Sequence, residues 1–533
     1  MHEPTGATGY CGRMSRHPRF ATVLVAVSAL LTGCVPLFGA DPHFVTDSAA
    51  HPHGTGTPAP MASEAPRIAA PKHDLNWADC TAKGFTDAAV PAVPGVKLEC
   101  ATYDTDLDPI GGGAAGMITI GVMRARSGQT PSTAGPLVFT TGSDIASSIQ
   151  LPVWLSQAGT DVLAGHAIVA VDRRGIGLSS PLECRESSDR LEMREQAQFE
   201  FGDDPVAILS GVADTVTTSC TDAIGSANTA YDNTHAATDL ERLRTLWDVP
   251  ALAIAGVGNG AQIALTYASA RPDKVVRLAL DSPVAFGVAA EAAAEQQVRG
   301  QQAALNAFAA QCLAVRCSLG PDPKAAVAGI IADARAGRGP SGLALSAVVD
   351  ALTVSLGFPA GDRVAATTAL SDTLAAARDG NAARLLGLVN RANSLLGTDG
   401  QFVNACSDAL IRPTPDRIRE LVVSWGKLYP QFGTVAALNL TRCVHWPTGS
   451  PVAPPKKLNL DVLLLGVQND AIAGSEGVAA SAATIINAGA ASKRVMWQGI
   501  GHGAGVYSPC TSAPLAAYLN TGKLPDTDIF CPA

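Results

Sequence analysis

The chain has 533 residues, a length that suits a large core with an inserted second domain. Charged residues make up only 16% and hydrophobic residues 47%, which excludes intrinsic disorder for most of the chain. The 38 basic and 47 acidic residues give a net charge of −9 without a basic stripe, so nucleic acid is not an expected partner.

The N-terminus has the features of a bacterial secretory leader. Residues 1–19 carry three arginines, and residues 20–33 form a short apolar run that ends in small residues. The motif LTGC, which ends at Cys34, resembles a lipobox and predicts lipidation of that cysteine. We therefore expect a lipid-anchored protein on the extracytoplasmic face of the cell membrane, with a shed form as a variant. An uncleaved signal anchor is the alternative, and Gly33 and Pro36 argue against such a helix.

Residues 34–75 are rich in Pro, Ala and Thr and show no apolar period, which predicts a flexible tether. His51 and His53 lie within this tether, and an isolated histidine pair does not indicate a metal site. No metal and no cofactor are expected anywhere in the chain.

Ten cysteines follow Cys34, and an even number in an exported chain predicts five disulfides. Zinc is the rival interpretation, but the sequence contains neither a CxxC motif nor a Cys–His cluster. The spacing favours pairing between sequence neighbours: Cys80 with Cys100, Cys184 with Cys220, Cys312 with Cys317, Cys406 with Cys443, and Cys510 with Cys531.

Short apolar runs alternate with helical patterns, which predicts an α/β fold with a mostly parallel sheet covered on both faces. Strands are expected at 116–125, 135–141, 164–172, 251–255, 275–281, 458–466 and 492–498. One helix is expected at 235–247, and another runs from the glycine turn at 256–260 to residue 270. The Ala-rich region between them predicts an inserted helical cap. The expected domains are a signal peptide (1–33), a tether (34–75), a first core part (76–284), a cap (285–455) and a second core part (456–533).

The strand, glycine turn and helix at 251–270 form the arrangement in which an α/β-hydrolase carries its nucleophile. Gly256 and Gly260 meet the steric demand of such a strained turn. The central position should be Ser, Cys or Asp, but it is Gly258, which has no side chain for a covalent intermediate. Gly258 is either natural or an introduced replacement of serine.

Two further positions fit a catalytic acid and base. Asp470 follows one of the last predicted strands, and His502 lies in a Gly-His-Gly loop after the other. The chain order of nucleophile position, acid and histidine is that of the α/β-hydrolase fold. Asp470 would hold the imidazole tautomer, and His502 would act as the general base.

These features together resemble the exported bacterial tripeptidyl-aminopeptidase-like α/β-hydrolases, relatives of prolyl aminopeptidases. The resemblance covers about residues 76–533 and implies serine hydrolysis of short peptides from their N-termini, or of esters. It rests on AVDRRGIGLSSP at 170–181, GVGNGAQIALTYASARPDKVVRLALDSP at 256–283, the CSLG, CSD and CVHWP segments that begin at Cys317, Cys406 and Cys443, Asp470, His502 and the tail around Cys531.

The sequence departs from that family in two places. The nucleophile position is Gly258, and the loop 142–147 lacks the glycine-rich run that normally supplies an oxyanion N–H. Asn259, Gly142 and Ser143 remain as oxyanion-hole candidates. The preferred hypothesis is a hydrolytically silent or weak protein that binds a peptide-like or ester ligand between core and cap.

The alternative is an active peptidase or esterase. It would use a displaced serine, Ser143 or Ser282, or a water activated by His502 and Asp470. A third interpretation takes the glycines at 256–260 together with Asp281 as a dinucleotide-binding fingerprint.

Several charged residues outside these loops need an interpretation of their own. Arg173 and Arg174 are expected to anchor the turn 172–177 through salt bridges. Four cap acids are candidates for recognition of an N-terminal amine, with a solvated surface as the alternative: Glu291, Glu295, Asp350 and Asp362. The oligomeric state is left open.

Overall fold

The computed structural model describes residues 66–533 except 112–114, 197–198, 200–201, 448 and 450. The expected signal peptide, Cys34 and most of the predicted tether lie outside the described residues. None of the helices in the described part is long and apolar enough to cross a membrane.

Ten strands of the described region pair into one sheet. They are β1 (Ala78–Asp79), β2 (Val96–Asp106), β3 (Met117–Ser127), β4 (Leu137–Thr140), β5 (Ile168–Val171), β6 (Leu252–Val257), β7 (Val275–Asp281), β8 (Val462–Asn469), β9 (Ser492–Ile500) and β10 (Ile529–Cys531). Their order across the sheet is β1-β2-β3-β5-β4-β6-β7-β8-β9-β10. Strands β4 to β10 run parallel to one another. Strands β1 and β2 pair antiparallel, as do β2 and β3, and β3 pairs antiparallel with β5.

The central strands are short runs of fully buried residues, such as LVFT in β4, IVAV in β5 and LAIAGV in β6. Such runs are typical of parallel strands covered on both faces, so the predicted α/β fold is confirmed. Strand β7 has the predicted bounds, but β8 begins at Val462 rather than at 458. The reason is that the Leu458 N–H bonds to the Ala488 carbonyl, outside the sheet.

Eighteen α-helices are described. Those of the core are α1 (Thr81–Asp87), α2 (Ser147–Gln157), α3 (Thr160–Gly165), α4 (Ser187–Glu195), α5 (Pro205–Ile224), α6 (Asn233–Trp247), α7 (Asn259–Ala270), α16 (Glu476–Asn487), α17 (Ala504–Tyr507) and α18 (Pro509–Thr521). Between β7 and β8 lie α8 (Ala290–Val315), α9 (Pro323–Arg335), α10 (Leu345–Gly357), α11 (Arg363–Arg378), α12 (Ala383–Leu396), α13 (Asp399–Asp408), α14 (Pro415–Leu428) and α15 (Gly433–Asn439).

Local capping explains where two of these helices begin. Asp232 accepts hydrogen bonds from the backbone N–H groups of Thr234 and His235 and thereby starts α6. Thr398 and Gln401 form a capping box that starts α13. The described part of the insert between β7 and β8 consists of helices and the loops that join them and contains no strand, and the predicted cap range of 285–455 encloses all eight of its α-helices.

The ten cysteines of the described region form five disulfides. The pairs are Cys80–Cys100, Cys184–Cys220, Cys312–Cys317, Cys406–Cys443 and Cys510–Cys531, which are the sequence neighbours. No cluster of three or more metal-ligating side chains occurs among the described residues.

Candidate active site

Four loops that follow the carboxyl ends of β4, β6, β8 and β9 meet at one place. They supply Asp144, Gly258, Asp470 and His502, respectively. The edge of a parallel sheet where the strands end is the usual position of a ligand site in α/β folds. The structure therefore brings together the three predicted positions and adds a fourth residue, Asp144, to which no role is assigned from the sequence.

Gly258 keeps the backbone conformation of a nucleophile turn. Its φ of 57° and ψ of −118° lie in a region that residues with a side chain rarely adopt, and it directly precedes α7. Its N–H donates to the Asp281 carbonyl over 2.9 Å, which fixes the turn against β7. A Cβ atom at this position would lie 2.6 Å from Nε2 of His502, so the turn still points at the histidine.

The acid and base positions form a buried pair. Nδ1 of His502 lies 3.1 and 3.0 Å from the two carboxylate oxygens of Asp470, and both side chains are fully buried. The backbone N–H groups of Ile472 and Ala473 donate to Oδ1 of Asp470 over 2.8 and 2.9 Å. This places the carboxylate where it can orient the imidazole, which is the role predicted for Asp470.

Asp144 occupies the space that a side chain at position 258 would need. A Cβ atom built on Gly258 would overlap Oδ2 of Asp144. That same oxygen lies 3.3 Å from Nε2 of His502 and accepts the N–H of Asn259 over 2.7 Å. Because Gly258 has no side chain, the carboxylate of Asp144, from the loop after β4, can lie at this position.

The two carboxylates change the charge of His502. Burial disfavours the imidazolium, but the charge of Asp470 and the hydrogen bonds to Asp144 and Asp470 outweigh burial and raise the pKa of His502 to about 10. At neutral pH the imidazole is therefore protonated. In this arrangement it donates from both nitrogens and has no lone pair with which to act as a base.

The three oxyanion-hole candidates have different partners. The N–H of Asn259 faces the site, but it is bonded to Asp144. The N–H of Gly142 donates to Oγ1 of Thr140 over 3.3 Å, and that of Ser143 to Oδ1 of Asn259 over 3.0 Å. Asn259 is thus the single candidate whose N–H points into the site in this structure.

The two serines considered as displaced nucleophiles do not contact the base. The ring nitrogens of His502 bond to Asp470 and Asp144, and neither bonds to a hydroxyl of the described residues. Oγ of Ser282 accepts the N–H of Gly503 over 3.1 Å. This serine therefore holds the loop that carries His502.

Asp281, the acid of the dinucleotide interpretation, has another function. Its two oxygens accept the N–H groups of Ala504 and Gly505 over 2.8 and 2.7 Å. It is buried, and burial raises its pKa to about 6. Because both oxygens are engaged inside the core, the residue positions the start of α17 and is not available for a ribose.

The two arginines after β5 are anchors, as the salt-bridge interpretation predicts. Arg174 makes a bidentate pair with Asp239 of α6 at 2.9 and 2.6 Å. Arg173 pairs with Asp408, the last residue of α13, at 2.7 Å and also donates to Oδ1 of Asn259 over 2.7 Å. The helix that begins at the nucleophile turn is thereby tied to the cap.

A cavity of about 340 Å³ lies between the cap and the second core part. Cap residues Phe308 and Leu370 and core residues Trp497 and Ile500 line it. Leu356 and Pro359, which also line it, flank Phe358, whose ring packs edge-on against the imidazole of His502 with centroids 5.8 Å apart.

Of the four cap acids, Asp362 lines this cavity. Glu291 pairs with Arg417 at 2.6 Å, and Glu295 accepts a hydrogen bond from the Tyr429 hydroxyl at 3.0 Å. Asp350 lines a separate cavity beside α15, and burial raises its pKa to about 6.

Two protein-family models match the chain. One, described as "alpha/beta hydrolase fold", matches residues 148–325, and the other, described as "TAP-like protein", matches residues 429–531. The first match includes the nucleophile turn, and the second includes Asp470 and His502.

Among curated proteins, "Serine protease Hip1" of Mycobacterium bovis and of Mycobacterium tuberculosis is similar to this chain. Each is 26% identical over 325 residues, which covers 59% of this chain and 57% of the relative. The matched region thus spans little more than half the length of these relatives.

Solved structures with a similar arrangement include two esterases. Esterase E22 has a TM-score of 0.39 at 12% identity and covers 79% of this chain and 99% of its own. A thermophilic esterase from Thermogutta terrifontis has a TM-score of 0.33 at 15% identity and covers 84% and 99%.

Proposed function

Because the chain belongs to the TAP-like α/β-hydrolases, we propose that it binds a peptide-like or ester ligand but is silent, or nearly so, in serine-type acyl transfer. One observation carries this proposal: the nucleophile turn holds Gly258, and the carboxylate of Asp144 fills the space where a nucleophile would lie. Without a side chain at the turn, no acyl-enzyme can form there.

The charge of the site supports the same conclusion. Loss of the nucleophile alone costs about 10⁶-fold in kcat in a serine hydrolase, and the residual rate relies on the oxyanion hole. Here the N–H of Asn259 is already bonded to Asp144, and His502 is held as an imidazolium. A water activated by His502 and Asp470 would therefore lack both a base and an oxyanion donor.

The cavity between cap and core supports the binding part of the proposal. It is concave, of a size that suits a short peptide, and lined mainly by apolar and aromatic side chains. Asp362 is its candidate for recognition of an amine. Oδ1 of Asp362 caps α11 through the N–H of Ala365 at 2.8 Å, while Oδ2 accepts no hydrogen bond from the described residues.

The proposed absence of serine-type hydrolysis is tested with tripeptide anilide and short-acyl ester reporters and with a fluorophosphonate label. We expect no label and no turnover above that of the His502→Ala variant. Turnover by the unaltered chain that His502→Ala abolishes would overturn the proposal and require another nucleophile.

The ligand site is tested by titrating the chain with a free tripeptide and its N-acetylated form in a calorimeter. We expect Ala366→Trp, which fills the cavity, to abolish binding, and Asp362→Asn to weaken binding of the free tripeptide only. Ala365→Trp is the matched control, because Ala365 is the exposed neighbour on the same helix. Equal effects of the two tryptophans would contradict this site.

We also propose that Cys34 is lipidated and holds the protein at the extracytoplasmic face of the cell membrane. The support is the leader and the motif LTGC in the sequence. Incorporation of a radiolabelled fatty acid that is lost in Cys34→Ala would support the anchor. Equal labelling of both forms would count against it.

A further inference from the structure

We propose that Asp144 is a nucleophile that displaces halide from a saturated carbon, and that the resulting alkyl ester on Asp144 is hydrolysed by water with His502 as the base. The reaction class is the hydrolysis of a primary haloalkane. This inference goes beyond the proposed function, which concerns peptides and acyl esters, and it does not depend on that function.

The carboxylate of Asp144 is held in one orientation. Its Oδ2 accepts the N–H of Asn259 over 2.7 Å and faces Nε2 of His502 at 3.3 Å. Its Oδ1 has no hydrogen-bond partner among the described residues. The side chain is 18% exposed, whereas His502 and Asp470 are buried. One oxygen is therefore anchored and the other is free, the arrangement of an oriented nucleophile.

The position of the Asn259 N–H favours attack on an alkyl carbon over attack on an acyl carbon. An acyl substrate would need that donor for its own developing oxyanion, but Oδ2 of Asp144 already occupies it. Displacement at a saturated carbon creates no oxyanion. The oxyanion develops only in the second step, on the carboxyl group of Asp144 itself, where Oδ2 already meets the N–H of Asn259.

The steps balance as follows. Oδ1 of Asp144 forms a bond to the saturated carbon while the carbon–halogen bond breaks, and the halide leaves with the electron pair. The imidazolium of His502 releases its Nε2 proton to solvent, water then attacks the carbonyl carbon of the ester, and Nε2 takes a proton from that water. The bond between that carbonyl carbon and the alkoxy oxygen breaks, and the alkoxide takes the proton from His502. Asp144 is left as a carboxylic acid, and its proton passes to Nε2 of His502, which restores the carboxylate and the imidazolium. The sum is haloalkane plus water to alcohol, halide and a proton released to solvent.

The first step also prepares the base for the second. The hydrogen bond and the negative charge of Asp144 are two of the causes that raise the pKa of His502. Alkylation neutralises that carboxylate, so the imidazolium loses one of its two anionic partners and releases its proton more easily. His502 becomes a competent base only once the ester has formed, and Asp470 keeps Nδ1 oriented throughout.

A halide leaving group fits this site because it departs as an anion without a proton. An epoxide oxygen would need a proton donor beside Asp144. Both donors that contact Asp144, the Asn259 N–H and His502, are bonded to the anchored oxygen.

The test traps the ester with 1-bromobutane and 1-iodobutane as probes. In His502→Gln the second step is blocked, and we expect the proteolytic peptide that contains Asp144 to gain the mass of one butyl group. The double variant Asp144→Asn/His502→Gln should gain none. Asp161→Asn/His502→Gln is the matched control and should still be alkylated on Asp144, because Asp161 is an exposed carboxylate on α3.

A second measurement uses the unaltered chain, in case His502→Gln does not fold. In ¹⁸O-labelled water, one turnover should place ¹⁸O in the carboxylate of Asp144, and halide release should fall at least 100-fold in Asp144→Asn. The absence of both the butyl adduct and the ¹⁸O label overturns the proposal, as does halide release that persists in Asp144→Asn. Turnover of acyl esters would overturn the proposed function instead, so the two failures are distinguishable.

Discussion

Oδ2 of Asp144 lies 3.3 Å from Nε2 of His502, in the space that a side chain at position 258 would occupy. The glycine and the aspartate are therefore two parts of one arrangement. A serine placed at the turn would meet the Asp144 carboxylate before it met the histidine. Restoring serine-type chemistry thus requires two changes.

We expect Gly258→Ser alone to leave acyl-ester turnover at background and to lower stability. The new side chain overlaps Asp144, and φ at 258 is positive. Gly258→Ser/Asp144→Gly should turn over short-acyl p-nitrophenyl esters and react with a fluorophosphonate, because His502 then faces a hydroxyl and the Asn259 N–H is free. The measurement is initial rate and active-site labelling.

The control for this pair is Asp144→Gly alone, which frees the oxyanion donor but supplies no nucleophile. It should remain unlabelled. Full activity of the single Gly258→Ser variant would mean that the Asp144 side chain moves away from position 258 at little energetic cost. The two positions would then not be coupled.

The raised pKa of His502 has a consequence for stability. The folded-state pKa of about 10 lies above the ordinary value of 6.5, so the folded chain binds the proton more tightly than the unfolded chain. The stabilisation is complete below about pH 6.5 and is lost as the pH rises toward 10, with a slope of up to about 1.4 kcal/mol per pH unit.

The measurement is urea unfolding between pH 6 and 10 for the unaltered chain and for His502→Gln. The difference between their free energies of unfolding should shrink as the pH rises. In Asp144→Asn this loss of stability should occur at lower pH, because the substitution removes one of the two carboxylates that raise the pKa of His502. A difference that stays constant with pH would contradict the charge assigned to His502.

Asp399 gives a second pH dependence with the opposite sign. Burial opposes its ionisation, but the hydrogen bonds from Arg190 and from the backbone N–H groups of Cys184 and Arg185 outweigh burial and lower its pKa to about 2. This contribution is present above the ordinary value near 3.8 and is lost as the pH falls toward 2. Asp399→Asn should lower the free energy of unfolding at pH 7 by about 3 kcal/mol, because two arginines lose a buried partner.

Chemical denaturation at pH 7 and at pH 3 checks this. The deficit of Asp399→Asn should be smaller at pH 3. Asp416→Asn provides the control, since Asp416 is an exposed carboxylate at the start of α14, paired with Arg419. An equal deficit at both values of pH would show that Asp399 acts through its shape and not through its charge.

Much of the site could be predicted from sequence because catalytic loops follow strands, and apolar strands are easy to find. Asp470 and His502 were found in this way, and the structure places them 3.0 Å apart. The role of Asp144 could not be predicted, although its loop contains two of the oxyanion-hole candidates, Gly142 and Ser143. Its role depends on the space left at Gly258, and that space arises from the packing of two loops 114 residues apart in the chain.

Other parts of the fold carry weaker sequence signals. The strand β2 at 96–106 alternates between buried and exposed residues, and charged residues interrupt its apolar pattern. The three-residue β10 depends on its partner β9, with which Ile529 to Cys531 pair in parallel. Neither could be predicted without knowledge of the neighbouring strand.

The helix α13 is fastened at both ends to the first core part. Asp399 at its start binds Arg185 and Arg190, and Asp408 at its end binds Arg173. Because these salt bridges join the cap to the core at both ends of α13, neither part can unfold without breaking them. The cap around α13 and the sheet beneath it should therefore unfold in one calorimetric transition. Any opening that admits a ligand would then have to arise in the helices farther from these clamps, leaving the nucleophile turn itself rigid.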